Sequence, residues 1–265
     1  MEHKEYKRYV KEFDEFTNNS IILEGINIDY KNKIVSVDLS HDKNVDTSIL
    51  INPTYTKIND IDVISIFKRV RNENKSDGNP LIYALKGLHD WKINKGDILK
   101  LLKQFIRITE KIKTEYDTII TVPSSNLLNK EFLFRLNKII KCKHKITDLF
   151  SKLEADEVFD VLNYSQIPRK ELDLIKTSIE RMHNENDGVF SFKYVPKYIR
   201  KYIKRTVSMT YINNELELQD KINEKSILIL DDTISSGSTI SEITQNILDM
   251  YTPSNVTVIT LFSSL

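Results

Sequence analysis

Residues 226–242 read Ser-Ile-Leu-Ile-Leu-Asp-Asp-Thr-Ile-Ser-Ser-Gly-Ser-Thr-Ile-Ser-Glu. Four aliphatic residues, 227–230, precede two adjacent carboxylates, Asp231 and Asp232. Hydroxyl side chains then surround Gly237. The aliphatic run predicts a fully buried strand ending at the acid pair, and a helical pattern begins after the hydroxyl loop. That order suits a sugar phosphate. Loop N–H groups and a helix N-terminus hold phosphate, through Ser235, Ser236, Gly237, Ser238 and Thr239. Carboxylates accept hydrogen bonds from vicinal ribose hydroxyls and help to hold a hydrated divalent metal. A plainer reading exists: a solvated Asp-Asp turn and a capping box, Thr239-Ile-Ser-Glu242. Glycine usage favours the first reading. The chain has six glycines in 265 residues, well below the usual roughly 7%. One of them falls where a phosphate must approach the backbone closely.

A second loop carries related chemistry. Pro123-Ser124-Ser125-Asn126 follows an apolar run ending at Val122, with Lys130 a few residues on. Hydroxyls, an amide and a cation suit a diphosphate; a Ser-capped helix start is the plainer alternative. Residues 193–205 hold six cations, Lys193, Lys197, Arg200, Lys201, Lys204 and Arg205, with Tyr194, Tyr198 and Tyr202 every fourth position. That pattern fits either a nucleic-acid or acidic-partner surface or a solvated helix with its tyrosines turned inward. Lys138, Lys141, Lys143 and Lys145 form a second basic patch. His89, beside Asp90 and Trp91, reads either as a pocket rim or as a structural His–Asp pair. Cys142 has His144 nearby but no recognisable Cys–His signature.

These residues need a frame. From residue 118 onward, strands alternate with amphipathic helices: strand 118–122, helix 127–142, strand 145–150, helix 172–182, strand 205–210, the acid-pair strand, its helix to residue 250, and strand 256–262. A longer helix over 95–115 precedes them. Alternation of this kind implies an α/β fold, a parallel twisted sheet with helices on both faces. In such a sheet the loops after Val122 and Leu230 converge at the carboxyl ends of the strands. Upstream, residues 1–19 predict an amphipathic helix, 21–51 a small antiparallel sheet turning at Lys31-Asn32-Lys33, and 61–70 a short helix. The polar stretch 72–80 reads as a linker. The expected division is therefore a small α+β module, residues 1–79, and a larger α/β domain, residues 80–265.

Composition narrows the classes. Hydrophobic residues make up 40% and charged residues 29%, enough for a buried core. No apolar run approaches the ~20 residues of a membrane helix, and no secretion signal is visible. A single cysteine excludes an intrachain disulfide and a multi-cysteine zinc site, and points to a reducing cytoplasm. The net charge of +1 gives no global attraction for nucleic acid.

The stretch from Asp231 to Thr239 resembles the phosphoribosyl-diphosphate binding motif of the type I phosphoribosyltransferases. Further similarity is to the ComF-like members: Tyr83-Ala84-Leu85-Lys86-Gly87, Val122-Pro123, Gln166, and Arg181, Asn184, Gly188 and Phe190. Departures stand beside these. Lys130-Glu131-Phe132 replaces an Arg-Gly-Phe-Asn stretch, residues 151–157 are acidic, and the N-terminal zinc cysteines are missing. The resemblance implies transfer of a phosphoribosyl group from phosphoribosyl diphosphate, with Mg2+, to an acceptor the sequence does not specify. Asp231 and Asp232 would bind the ribose hydroxyls and, through water, the metal. The hydroxyl loop would bind the 5′-phosphate, and Pro123 to Asn126 with Lys130 the diphosphate. Ser235 stands where some purine-salvage members carry an aspartate that handles a base proton. Many relatives of this fold are homodimers. A reading of another class is a nucleotide sensor. A third is an effector or accessory protein of a bacterial defence system, of retron type, docking nucleic acid or protein through residues 193–205.

Overall fold

The computed structural model describes residues 25–38, 45–69, 79–112, 115–124, 127–136, 138–203, 205–210 and 215–263. The expected helix at 1–19 and most of the linker at 72–80 lie outside them. The centre of the molecule is a mixed sheet of seven strands. Its parallel core is β5 (Ile61–Arg69), β12 (Asn255–Ser263), β11 (Ser226–Ile234), β7 (Glu115–Thr121) and β8 (Lys141–Ile146), in that spatial order. β3 (Val45–Asp46) and β4 (Thr54–Ile58) pair antiparallel to β5.

Burial explains why these segments are strands. Residues 227–232 of β11 and 256–263 of β12 are all buried, as expected of parallel strands covered on both faces. Along β11 the side chains alternate: Ile227 and Ile229 join one core cluster, Leu228 and Leu230 another. The Leu228 side is covered by α1 (Pro80–Lys86), α2 (Lys95–Thr109) and α3 (Leu127–Leu136), through Leu81, Phe105, Ile108 and Phe132. A small sheet of β1 (Gly25–Asp29), β2 (Ile34–Asp38) and β6 (Lys92–Ile93) joins the same cluster through Ile26 and Val35. The other side is covered by α6 (Glu215–Ile222) and α7 (Ser238–Met250), through Ile222, Ile240, Ile243 and Ile247. Helices on both faces of a mostly parallel sheet are what the strand–helix alternation predicts.

Residues 153–203 lie between β9 (Phe150–Lys152) and β10 (Val207–Met209), which pair with each other in an antiparallel ribbon. This insert has its own core. α4 (Glu157–Asp160) and α5 (Arg169–Glu185) bury Val158, Ile175, Ile179 and Met182 against Phe190, Tyr194 and Ile199.

Several expectations are corrected. The helix expected over 61–70 is not formed: residues 61–69 are β5, an inner strand. The sheet does not stop at the expected boundary near residue 79: β5 pairs with β12 from Asp62 to Lys68, and β2 pairs with β6. Residues 45–69 therefore belong to the main sheet, because β5 covers an edge of β12 that would otherwise be open. The antiparallel sheet expected over 21–51 does not reach its last residues: residues 49–51 form a turn. The helix expected over 127–142 ends at Leu136, and the following strand starts at Lys141 rather than 145. β11 does not end at Leu230; it stays in register with β12 to Ile234, through the acid pair.

Candidate functional site

β11 delivers the acid pair to the carboxyl edge of the sheet. On its β7 side the pairing ends at Leu230 with Thr121, and Val122 N–H donates to the Leu230 carbonyl at 2.9 Å. The loop beginning at Pro123 thus starts beside Asp231, as the topology requires. Pro123 and Ser124 are half-buried there. Ser125, Asn126 and the side chain of Lys130 lie outside the described residues.

Strand alternation splits the two carboxylates between the two faces of the sheet. Asp232 shares a side with Leu230 and meets α1: Lys86 Nζ lies 2.9 Å from Asp232 Oδ2, in an ion pair whose side chains are 15% and 8% exposed. The contact is close but is not aligned as a hydrogen bond, and among the described residues Asp232 Oδ2 has no other partner. Asp231 shares a side with Ile229 and faces α7. Burial, and then the neighbouring Asp232 charge, push its carboxyl up to about 7; Lys86 and the N–H groups of Asp232 and Thr233 oppose this.

On the α7 face a cleft of about 320 Å³ is lined by Asp231, Thr233 and all five loop residues, Ser235, Ser236, Gly237, Ser238 and Thr239. Asp232 does not line it. The loop opens α7: Gly237 precedes the first helical residue at φ +77°, a left-handed conformation. A Cβ there would lie 2.6 Å from Ile58 Cδ1. Gly237 therefore meets a backbone and packing need as well as any need of a phosphate. Ser236 Oγ and Ser238 Oγ lie 3.1 Å apart across it.

The far wall of the cleft was missed by sequence reasoning. Phe192, Arg200, Lys201 and Ile203 line it, so the basic stretch contributes Arg200 and Lys201 to this cleft. It is two 3-10 turns rather than one helix, Phe192–Tyr194 and Lys197–Tyr202. Tyr194 is buried and Tyr198 exposed. Arg200 is held in place, donating from Nε to the Val195 carbonyl at 2.9 Å and from a terminal nitrogen to the Phe192 carbonyl at 2.8 Å. Nor is Glu242 part of a capping box. Its carboxylate accepts from Thr206 N–H (2.9 Å), Thr206 Oγ1 (2.8 Å) and Val207 N–H (3.1 Å), where the basic stretch runs into β10. The signals in the sequence were chemical, a cluster of cations read as a partner surface or solvated helix and a carboxylate read as a helix cap, and neither pointed to this cleft.

The remaining candidates lie elsewhere. Cys142 packs against the α1–α3 core, and burial pushes its thiol above the ordinary value, the opposite of an activated thiolate. His89 and Asp90 occupy a tight exposed turn with φ of +55° and +62°, where Lys33 donates to the His89 carbonyl. Lys141 and Lys143 lie on edge strand β8 and pair with Glu115 and Asp117, which fits a charged, aggregation-resistant edge.

A metal at the acid pair would meet one carboxylate in the cleft, Asp231. Among the described residues no three histidine, cysteine or acidic side chains group as a metal site. The residues present fit Mg2+ as a companion of a ligand's phosphates, held by one carboxylate through water. Among the described residues, no helix is long and apolar enough to cross a membrane. No protein-family model matches the chain, and no curated protein matches it in sequence.

Proposed function

We propose that the chain binds a 5′-phosphorylated ribosyl ligand, phosphoribosyl diphosphate or a nucleotide, and acts as a phosphoribosyltransferase on an acceptor yet to be identified. One observation carries the reading: a buried carboxylate, Asp231, and the five-residue hydroxyl loop share one cleft at the carboxyl edge of a parallel sheet. Crevices at such edges are where open α/β sheets bind ligands. Loop N–H and O–H groups with the α7 N-terminus receive the 5′-phosphate. Asp231 accepts from a ribose hydroxyl and would hold a Mg2+ ion that arrives with the diphosphate. Such an ion would offset negative charge on the leaving diphosphate. Asp232, fixed by Lys86 on the other face, keeps a negative charge behind the strand end and orients Asp231 through the backbone they share.

Displacement at the anomeric carbon through an oxocarbenium-like transition state needs positioning and charge neutralisation more than covalent help. The chain's part is to clamp phosphate and ribose so that the anomeric carbon stays open to the acceptor. Pro123 and Ser124, which follow Val122 on the β7 side of Asp231, are the residues this reading assigns to the departing diphosphate. The test is diphosphate release from phosphoribosyl diphosphate and Mg2+ in the presence of candidate nucleobases. Release dependent on one base supports transfer. Tight binding with no release for any acceptor would leave a nucleotide sensor as the function.

A further inference from the structure

The basic stretch forms one wall of the cleft, and the wall is fastened at both ends. Upstream, Tyr194, Val195, Ile199 and Ile203 sit in the core of the insert. Downstream, Glu242 on α7 grips Thr206 and Val207 with both carboxylate oxygens. Because α7 starts in the hydroxyl loop, one rigid helix connects that grip to Ser238 and Thr239. The wall carries a cation of known constraint, Arg200, and an exposed one, Lys201. Lys201 Nζ rests 4.8 Å from the Tyr202 ring centroid, and among the described residues no carboxylate pairs with it.

We propose that Lys201 is a ligand-binding residue of this cleft, the cation that meets the phosphate group held by the hydroxyl loop, and that Glu242 is the positioning residue that keeps the wall bearing Lys201 opposite the loop. The ligand class is a sugar phosphomonoester carrying two negative charges. This rests on the reading of the cleft as a phosphoribosyl site. Hydroxyls and N–H groups alone leave a dianion short of positive charge, and Lys86, a partly buried cation, is engaged with Asp232 on the opposite face. A carboxylate that accepts from three donors on two consecutive residues is a strong fastening for a segment whose described residues form only short turns.

The test is calorimetric titration of ribose 5-phosphate into the full chain. Lys201→Ala is expected to weaken binding about tenfold or more, the scale of a lost charge-assisted hydrogen bond. Lys201→Arg retains most of the affinity. Glu242→Gln weakens binding by a similar factor, but less than twofold when Lys201→Ala is already present, since it acts through that wall. Thr206→Val, which removes one donor to the same carboxylate, gives a smaller loss in the same direction. Equal affinity for Lys201→Ala and the unaltered chain overturns the proposal and leaves the phosphoribosyl reading standing. A Glu242→Gln effect of the same size in both backgrounds overturns the positioning role. Failure of the unaltered chain to bind ribose 5-phosphate overturns both the proposal and the reading beneath it.

Discussion

Lys86 and Asp232 form an ion pair, Nζ to Oδ2 at 2.9 Å, across the boundary between α1 and the end of β11. It fixes the acid pair's geometry from behind: Asp232 is turned towards α1 and Asp231 towards the cleft. It also brings together two segments 146 residues apart, the Lys86-Gly87 helix end and the acid-pair strand, so the first of these contributes to the edge that carries the site.

Replacing Lys86 with Met is expected to strand Asp232 as a buried, unpaired charge. Removing one partner of a buried pair costs about 3–5 kcal/mol. Urea unfolding at neutral pH would read the loss. Adding Asp232→Asn to Lys86→Met is predicted to restore most of the stability, because the orphaned charge is gone.

The raised carboxyl of Asp231 predicts a pH dependence. Its pKa of about 7 in the folded chain lies above the unfolded 3.8. Between these values the folded state binds more protons than the unfolded one. Stability therefore falls as pH rises from about 4 to about 7, then levels off. Asp231→Asn removes this slope and is predicted to be more stable than the unaltered chain at pH 8, by an amount on the order of a few kcal/mol. Denaturation midpoints at pH 5 and pH 8 check both statements; an unchanged slope in the variant contradicts them.

Gly237→Ala adds a methyl group at φ +77° and places it 2.6 Å from Ile58 Cδ1. The left-handed backbone costs about 1–2 kcal/mol and the overlap about 1–3 kcal/mol. Ile58→Val, which removes Cδ1, is predicted to recover part of the second cost and none of the first. Thermal unfolding of the single and double variants separates the two.

The strands around the site were legible in the sequence because β11 holds a continuous apolar run, Ile227 to Leu230, and β12 is rich in β-branched and apolar residues, and α2, α5 and α7 show clear helical periodicity. β5 was not. Its central residues Val63, Ile64, Ser65, Ile66 and Phe67 are all buried, so neither alternation nor a helical stripe marks them, and the run was too short to arbitrate. Within the site, Asp231 and the hydroxyl loop could be read directly, since their types and order carry the chemistry. The division of labour between Asp231 and Asp232 could not, because it needs the face of the sheet that each occupies and the distant Lys86. The wall of Arg200 and Lys201 escaped for the same reason: the four-residue spacing of its tyrosines suggests a helix, whereas the stretch forms two 3-10 turns anchored by the insert's own core and by Glu242.

The central claim is that the cleft holding Asp231 and the hydroxyl loop is a phosphoribosyl site. Calorimetric titration of phosphoribosyl diphosphate with Mg2+ into the unaltered chain and into Asp231→Asn tests it most directly. Saturable one-to-one binding by the former and a loss of at least tenfold in the latter, about 1.4 kcal/mol, is the expected result. Equal affinity in the two proteins, or none in either, would contradict it.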